Sequence, residues 1–228
     1  MSAVVEHIRS KGYWDAYIHT EPFQEALVPY DELDSILNQA VVRWRGWPVP
    51  LVDARQPLMR QQDYIGQDID AKNLSHAEAW RFFTSGQFAQ LRVVSADWRA
   101  GSEATQVPRS ATSVIEVWEI LFYLTEIVEL AARLALSHAG GDLMTIGVCL
   151  YGLENRALVS GTPDRMLVGD YRASISCIRE KRTLERDFLV AESRQIAVDM
   201  SRELFLRFGY KASKDTLTDY QSALTDRR

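Results

Sequence analysis

An α+β fold, with a mostly antiparallel sheet packed on one long central helix and a helical segment at the C-terminus, is what this sequence predicts. Three observations carry the prediction. The runs "YWDAYIHT" and "LMTIGVCLYGL" alternate inward and outward residues with the period of a strand. The run after Ser113 stays apolar around most of a helical projection. The 228 residues are 46% hydrophobic and 25% charged, with no repeat or low-complexity segment, which suits a folded body with its own core.

Taken in order, a short helix is expected over Ala3 to Arg9 and stops before Gly12. A strand follows with Trp14, Ala16 and Ile18 on the buried face and Tyr13, Asp15, Tyr17 and His19 on the other. Pro29 then opens an amphipathic helix whose Leu33, Ile36, Leu37 and Ala40 share one face, with Asp31 and Glu32 in its first turn. The stretch "VVRWRGWPVP" reads as a short strand, Val42 and Trp44 on one side and Val41, Arg43 and Arg45 on the other, broken by Gly46. Pro48 and Pro50 turn its end into a stiff arm that pairs with nothing, and Trp47 folds back as a lid. On this reading the aromatic-arginine pattern is a buried corner, with Trp44 inside the sheet, and not a platform for nucleic-acid bases.

Residues 51–72 read as a polar surface excursion. "SHAEAWRFFTSG" reads as a short helix, because Ser75 and Glu78 have the spacing of a capping box and Gly86 stands where a helix ends. "QFAQLRVVSADW" is expected as a strand, and a polar loop leads to the central helix, which begins with a second capping box at Ser113 and Glu116 and runs to about His138. Glu116, Glu119, Glu126, Glu129 and Arg133 fall in one wedge of that helix, expected as a solvated or interface-facing acidic stripe. Their charge also excludes a membrane span. "NRALVS" is expected to fold back as a hairpin, "YRASISCI" and "TLERDFLV" as two further strands, and helices are expected over about Glu192 to Phe208 and Thr216 to Leu224. All of this fits a single domain over 1–228, with 100–112 as the place where it would subdivide into an aromatic-rich N-terminal half and a C-terminal half of sheet and helix.

The net charge is −5 and is uneven, since residues 179–228 carry 11 basic and 9 acidic side chains while all six tryptophans lie at or before Trp118. An acidic chain of this kind does not grip duplex phosphates with its whole surface. Two cysteines, Cys149 and Cys177, cannot build a disulfide framework, and "MSAVVEHIRSKGYW" is charged by residue 6, so a cytoplasmic setting with reduced thiols is expected.

Motifs that carry chemistry are scarce. His7, His19, His76 and His138 are scattered, no CxxC, HExxH or HxH occurs, and no metal site or cofactor is expected. Phosphate-cradling glycine loops are missing, and neither cysteine sits in a nucleophile motif. In "IREKR", Glu180 directly precedes Lys181, which is the wrong spacing for a nuclease strand. No catalytic residue is assigned. The candidate interaction surface is Tyr13, Tyr17, His19, Arg43, Arg45 and Trp47.

"GYW" at 12–14, "RGWPVP" at 45–50, "WRFFTSGQF" at 80–88, "LTEIVELAARLA" at 124–135 and "ELFLRFGY" at 203–210 together resemble a bacterial family without an assigned activity, associated with ATP-binding or Schlafen-type AlbA_2 DNA-binding proteins. The resemblance implies an accessory component of a nucleic-acid or phage-defence-linked system. Two functions follow as expectations. The first is a non-catalytic binding or assembly protein whose partner is another protein or a second copy, with nucleic acid reached only through that partner and no membrane involved. The second is an enzyme or sensor for a nucleotide-like ligand, held in a cleft beside the sheet where Asp63, Asp68 and Asp70 would hold a cation. A deep pocket lined by Tyr13, Tyr17, His19 and these aspartates would favour the second, and a flat aromatic patch the first.

Overall fold

The computed structural model describes residues 2–100, 105–161, 167 and 169–225. Seven strands form an antiparallel sheet in the order β2–β3–β4–β5–β1–β7–β9. They are β1 (Tyr13–Glu21), β2 (Met59–Arg60), β3 (Tyr64–Ala71), β4 (His76–Phe83), β5 (Phe88–Val93), β7 (Leu143–Tyr151) and β9 (Cys177–Glu185). A separate parallel pair joins β6 (Ser113–Glu116) to β8 (Arg156–Val159). The helices are α1 (Ala3–Arg9), α2 (Leu33–Ala40), α3 (Val117–Ala135), α4 (Arg186–Arg207) and α5 (Lys214–Thr225). The fold is therefore α+β with a mostly antiparallel sheet.

Register explains the core. Trp14, Ala16 and Ile18 of β1 face the same side as Arg92, Gln90 and Phe88 of β5 and Leu150, Val148 and Ile146 of β7. Helices α2, α3 and α4 bury their apolar faces against this side, and α5 closes the cluster through Leu217. Most of α3 is buried, which is why its apolar arc is so wide. It shares the sheet with α4, which is longer at 22 residues and is interrupted at Glu192 by a non-helical φ/ψ. No helix among the described residues is long and apolar enough to cross a membrane. On the opposite side of the sheet α1 covers one end, where Ile8 packs with Ala77, Ala79 and Val93. Away from α1, Tyr17 lies flat over Gly147, where a Cβ would come within 2.0 Å of the ring.

Several expectations are corrected. Residues 64–71 are strand β3 and not an excursion: Ile65, Gln67 and Ile69 alternate inward, and the buried amide of Gln67 hides the period because it bonds the backbone of Asp53 and Gln56 instead of water. "SHAEAWRFF" is strand β4 and not a helix. Ser75 sits at φ 50 in the preceding turn, and Glu78 points inward, so the apparent capping box is two residues with separate duties. Likewise Ser113–Glu116 is strand β6, and the helix begins only at Val117. "NRALVS" pairs parallel to β6 and makes no hairpin. Of the two strands expected near 171–190, only Cys177–Glu185 forms one, and Phe188 to Val190 belong to α4.

Residues 41–50 form a loop closed by one bridge, Val42 with Val49, so the segment is neither a sheet strand nor a non-pairing arm. Trp44 is half-buried on that loop instead of lying inside the sheet, because positive φ at Gly46 turns the chain back before a ladder can extend.

Candidate functional site

The inward faces of β4 and β5 carry polar side chains where a core would ordinarily be apolar. His76 and Glu78 alternate with Ala77 and Ala79 on β4, and Glu78 stands directly across from Arg92 on β5. A cavity of about 200 Å³ opens beside them, lined by Arg45, Trp47, Leu51, His76, Arg92, Arg99 and Trp118, among others. Its roof comes from the 41–50 loop, and one wall is the first turn of α3. A second hollow of about 320 Å³, lined by His7, Asp70 and Trp98, adjoins it at His76.

Three charged pairs around the cavity are internally matched. Arg45 donates through Nε to Glu126 Oε1 at 2.7 Å and through Nη2 to Oε2. Arg99 Nη1 reaches both oxygens of Glu116 at 2.7 and 2.9 Å. His76 Nε2 lies 2.8 Å from Glu78 Oε2, while Glu78 Oε1 accepts the Leu51 N–H at 2.6 Å. Burial alone would raise the Glu78 carboxyl, but the His76 hydrogen bond and charge, with Arg92 beyond, hold it below its ordinary value.

Arg92 is not matched. It is 2% exposed, and its Nε and Nη1 atoms are buried without a hydrogen-bond partner. Its one ion pair among the described residues is a long one, 4.0 Å to Glu126 Oε2, an oxygen already held by Arg45. Beneath it the Tyr123 ring lies 5.0 Å away, and Tyr123 gives its hydroxyl hydrogen to Gln90. Glu119 is the complementary anomaly. Its Oε1 accepts the Ser95 N–H at 2.8 Å, whereas its buried Oε2 has no partner. Burial pushes the Glu119 carboxyl up, outweighing the Ser95 amide and the Arg92 charge that pull it down.

That shift has a stability consequence with a definite sign. A carboxyl raised in the folded state holds its proton more tightly there than in the unfolded chain, so the associated stability is complete below the unfolded value and is lost as pH rises through the folded one. Glu119→Gln keeps the acceptor for Ser95 and cannot ionise. The variant is expected to match the parent in acid and to become progressively more stable than it as pH rises above the ordinary glutamate value of 4.5. Urea unfolding at a series of pH values checks this, and parallel curves for the two proteins would refute it.

Of the residues expected to form an interaction surface, the structure brings only Arg45 and Trp47 into the cavity, with the Arg45 guanidinium 5.3 Å from the Trp47 ring. Trp47 is 43% exposed at the rim, and Arg43 points to solvent. Tyr13, Tyr17 and His19 lie on the opposite face of the sheet. Tyr13 stacks on Tyr151 at 4.7 Å and Tyr17 on His19 at 5.8 Å, so their rings form a flat patch. Asp68 pairs with Arg81 at 2.7 Å, and among the described residues no group of three or more His, Cys, Asp or Glu side chains converges on a metal position. Cys149, on the same outer face, has its thiol pushed up by burial and by Asp15, against hydrogen bonds to Tyr151 and Arg179, which is the opposite of nucleophile activation.

The acidic stripe of α3 is corrected most sharply. Glu116, the last residue of β6, and Glu119 and Glu126 of α3 are buried, turned toward Arg99, Ser95, Arg45 and Arg92. Its outer end, Glu129 with Arg133, is the partly exposed remainder. Comparison with protein-family models, with curated proteins and with solved structures finds no match to this chain.

Proposed function

We propose that this chain is a small-molecule binding protein, taking an acceptor-rich ligand into the cavity between β4, β5, the start of α3 and the 41–50 loop. The observation that carries the reading is Arg92, a buried guanidinium without a hydrogen-bonded partner beside an open cavity. An unmatched buried charge of this kind is costly to a fold, and a ligand acceptor removes the cost. Trp47 and Trp118 offer ring surface, while Arg45 and Arg99, fixed by their own glutamates, hold those rings in place through cation–π contacts. This cavity lies on the face of the sheet opposite Tyr13, Tyr17 and His19, and none of Asp63, Asp68 and Asp70 lines it.

Two measurements test the proposal. Native mass spectrometry of the gently purified protein should detect a bound small molecule that Arg92→Met lacks. In the ligand-free state the same variant should retain the parent's stability or exceed it, by up to about 1–3 kcal/mol, since it removes unpaired buried donors. A parent protein that carries nothing, and a methionine variant that is less stable, would together defeat the reading.

A second reading, association with another protein or a second copy, is favoured by the flat patch of Tyr13, Tyr17, His19 and Tyr151 on the outer face. Any link to nucleic acid or to a defence system would run through such a partner. Sedimentation of the pure protein as a strict monomer at high concentration would remove the self-association form of it.

A further inference from the structure

We infer that the ligand of this cavity is a monocarboxylate borne on a single planar ring, its carboxylate on Arg92 and its ring against Trp47 and Trp118; this rests on the ligand-binding reading above.

Charge sets the first limit. Arg45, Arg99 and His76 each have a carboxylate of their own in Glu126, Glu116 and Glu78, which leaves one guanidinium unmatched. A carboxylate on the ligand supplies the acceptor oxygens that the buried Nε and Nη1 of Arg92 lack. A dianionic phosphate would bring a second charge close to the buried carboxyl groups of Glu78, Glu116, Glu119 and Glu126, where like-charge repulsion is weakly screened.

Size sets the second. The cavity of about 200 Å³ is smaller than the roughly 300–1,000 Å³ of sites that enclose drug-sized ligands. It is larger than the roughly 150 Å³ that holds a benzene molecule. One ring with a carboxylate fits these bounds, whereas a nucleotide, with base, sugar and phosphate, does not.

The shape of the lining sets the third. Leu51 and Leu74 contribute apolar surface beside the two indoles, so the part of the ligand away from Arg92 meets rings and methyl groups. Hydrogen bonding is concentrated at the charged end, and such a division selects a molecule with one polar head and an apolar planar body.

Benzoate, benzamide and phenyl phosphate serve as probes, because they share a ring and differ in the head group. Isothermal titration of the intact protein is expected to give benzoate a dissociation constant at least about tenfold below those of both benzamide and phenyl phosphate. Arg92→Met should erase the preference for benzoate over benzamide, and Arg92→Lys should retain part of it, since the charge survives while the planar fork is lost. Circular dichroism of each variant confirms that it is folded before titration. Phenyl phosphate binding as tightly as benzoate, with the same dependence on Arg92, overturns the monocarboxylate inference and leaves the ligand-binding reading standing. If none of the probes binds, the inference also fails, and the bound-molecule experiment above decides the fate of the broader reading on its own.

Discussion

Arg156→Met is expected to lose about 3–5 kcal/mol of stability, a large part of what holds an ordinary domain folded. The side chain is 2% exposed and makes four hydrogen bonds to three residues. Nη1 and Nη2 clasp the two oxygens of Asp97 at 2.8 and 2.7 Å, Nη1 also reaches the Val114 carbonyl, and Nε reaches the Gly152 carbonyl. Asp97 in turn accepts the Gly12 N–H at 2.9 Å. One guanidinium thus ties the turn after β5, both strands of the parallel pair and the entry to β1. Methionine fills most of the volume but leaves Asp97 buried with a charge and no cation, and this accounts for most of the expected loss. The double variant Asp97→Leu with Arg156→Met should recover a substantial fraction, because it leaves no orphaned charge. Urea unfolding of the two variants checks both statements; an unchanged midpoint for the single variant contradicts the first, and a double variant less stable than the single one contradicts the second.

Glu126→Ala is expected to cost a comparable amount, about 3–5 kcal/mol, and to release the 41–50 loop. The carboxylate is fully buried and is the sole ion-pair partner of both Arg45 and Arg92 among the described residues. Without it Arg45 loses its bidentate partner and Arg92 its one ion pair among the described residues, both in a buried site. Glu126→Gln should lose less, since an amide oxygen still accepts from Arg45. Because Arg45 also lies against the Trp47 ring, loop release is read separately from unfolding, as increased quenching of tryptophan fluorescence by iodide below the unfolding transition. A variant with a parental melting temperature and unaltered quenching would show that the pair does not hold the loop.

How far the sequence was legible follows from what occupies the inward positions. Strands β1 and β7 were readable because Trp14, Ala16, Ile18, Met144, Ile146 and Val148 are apolar and alternate in the open. Strands β3 and β4 were not, because Gln67, His76 and Glu78 take inward positions that the period reserves for apolar side chains. Their polar atoms are satisfied by the backbone of the 51–56 segment, 14 residues from Gln67 at Asp53 and 27 from Glu78 at Leu51, and by the His76–Glu78 contact. The site shows the same division. Arg45 and Trp47 could be picked out as an arginine next to an aromatic ring, although the reason for their placement, Glu126, lies 81 residues away from Arg45. Arg92 gave one usable signal: in "FAQLRVV" the polar residues Gln90 and Arg92 fall in phase with the buried Phe88. An inverted alternation of that kind, together with glutamates recurring along an otherwise apolar helix, marks a polar interior more specifically than either does alone.

The two ends of the sheet bear on how the chain behaves when crowded. Strand β2 is two residues long and follows Pro57, so it gives an incoming strand almost no ladder to extend. Strand β9 is long enough to serve as a template, but Arg179, Glu180, Lys181, Arg182 and Glu185 put charge on both of its faces, and a flat docked strand would have to desolvate them. Both margins therefore discourage edge-to-edge growth, and concentrated solutions of the folded chain are expected to resist fibrillar aggregation, leaving contact between whole faces as the route by which copies can meet.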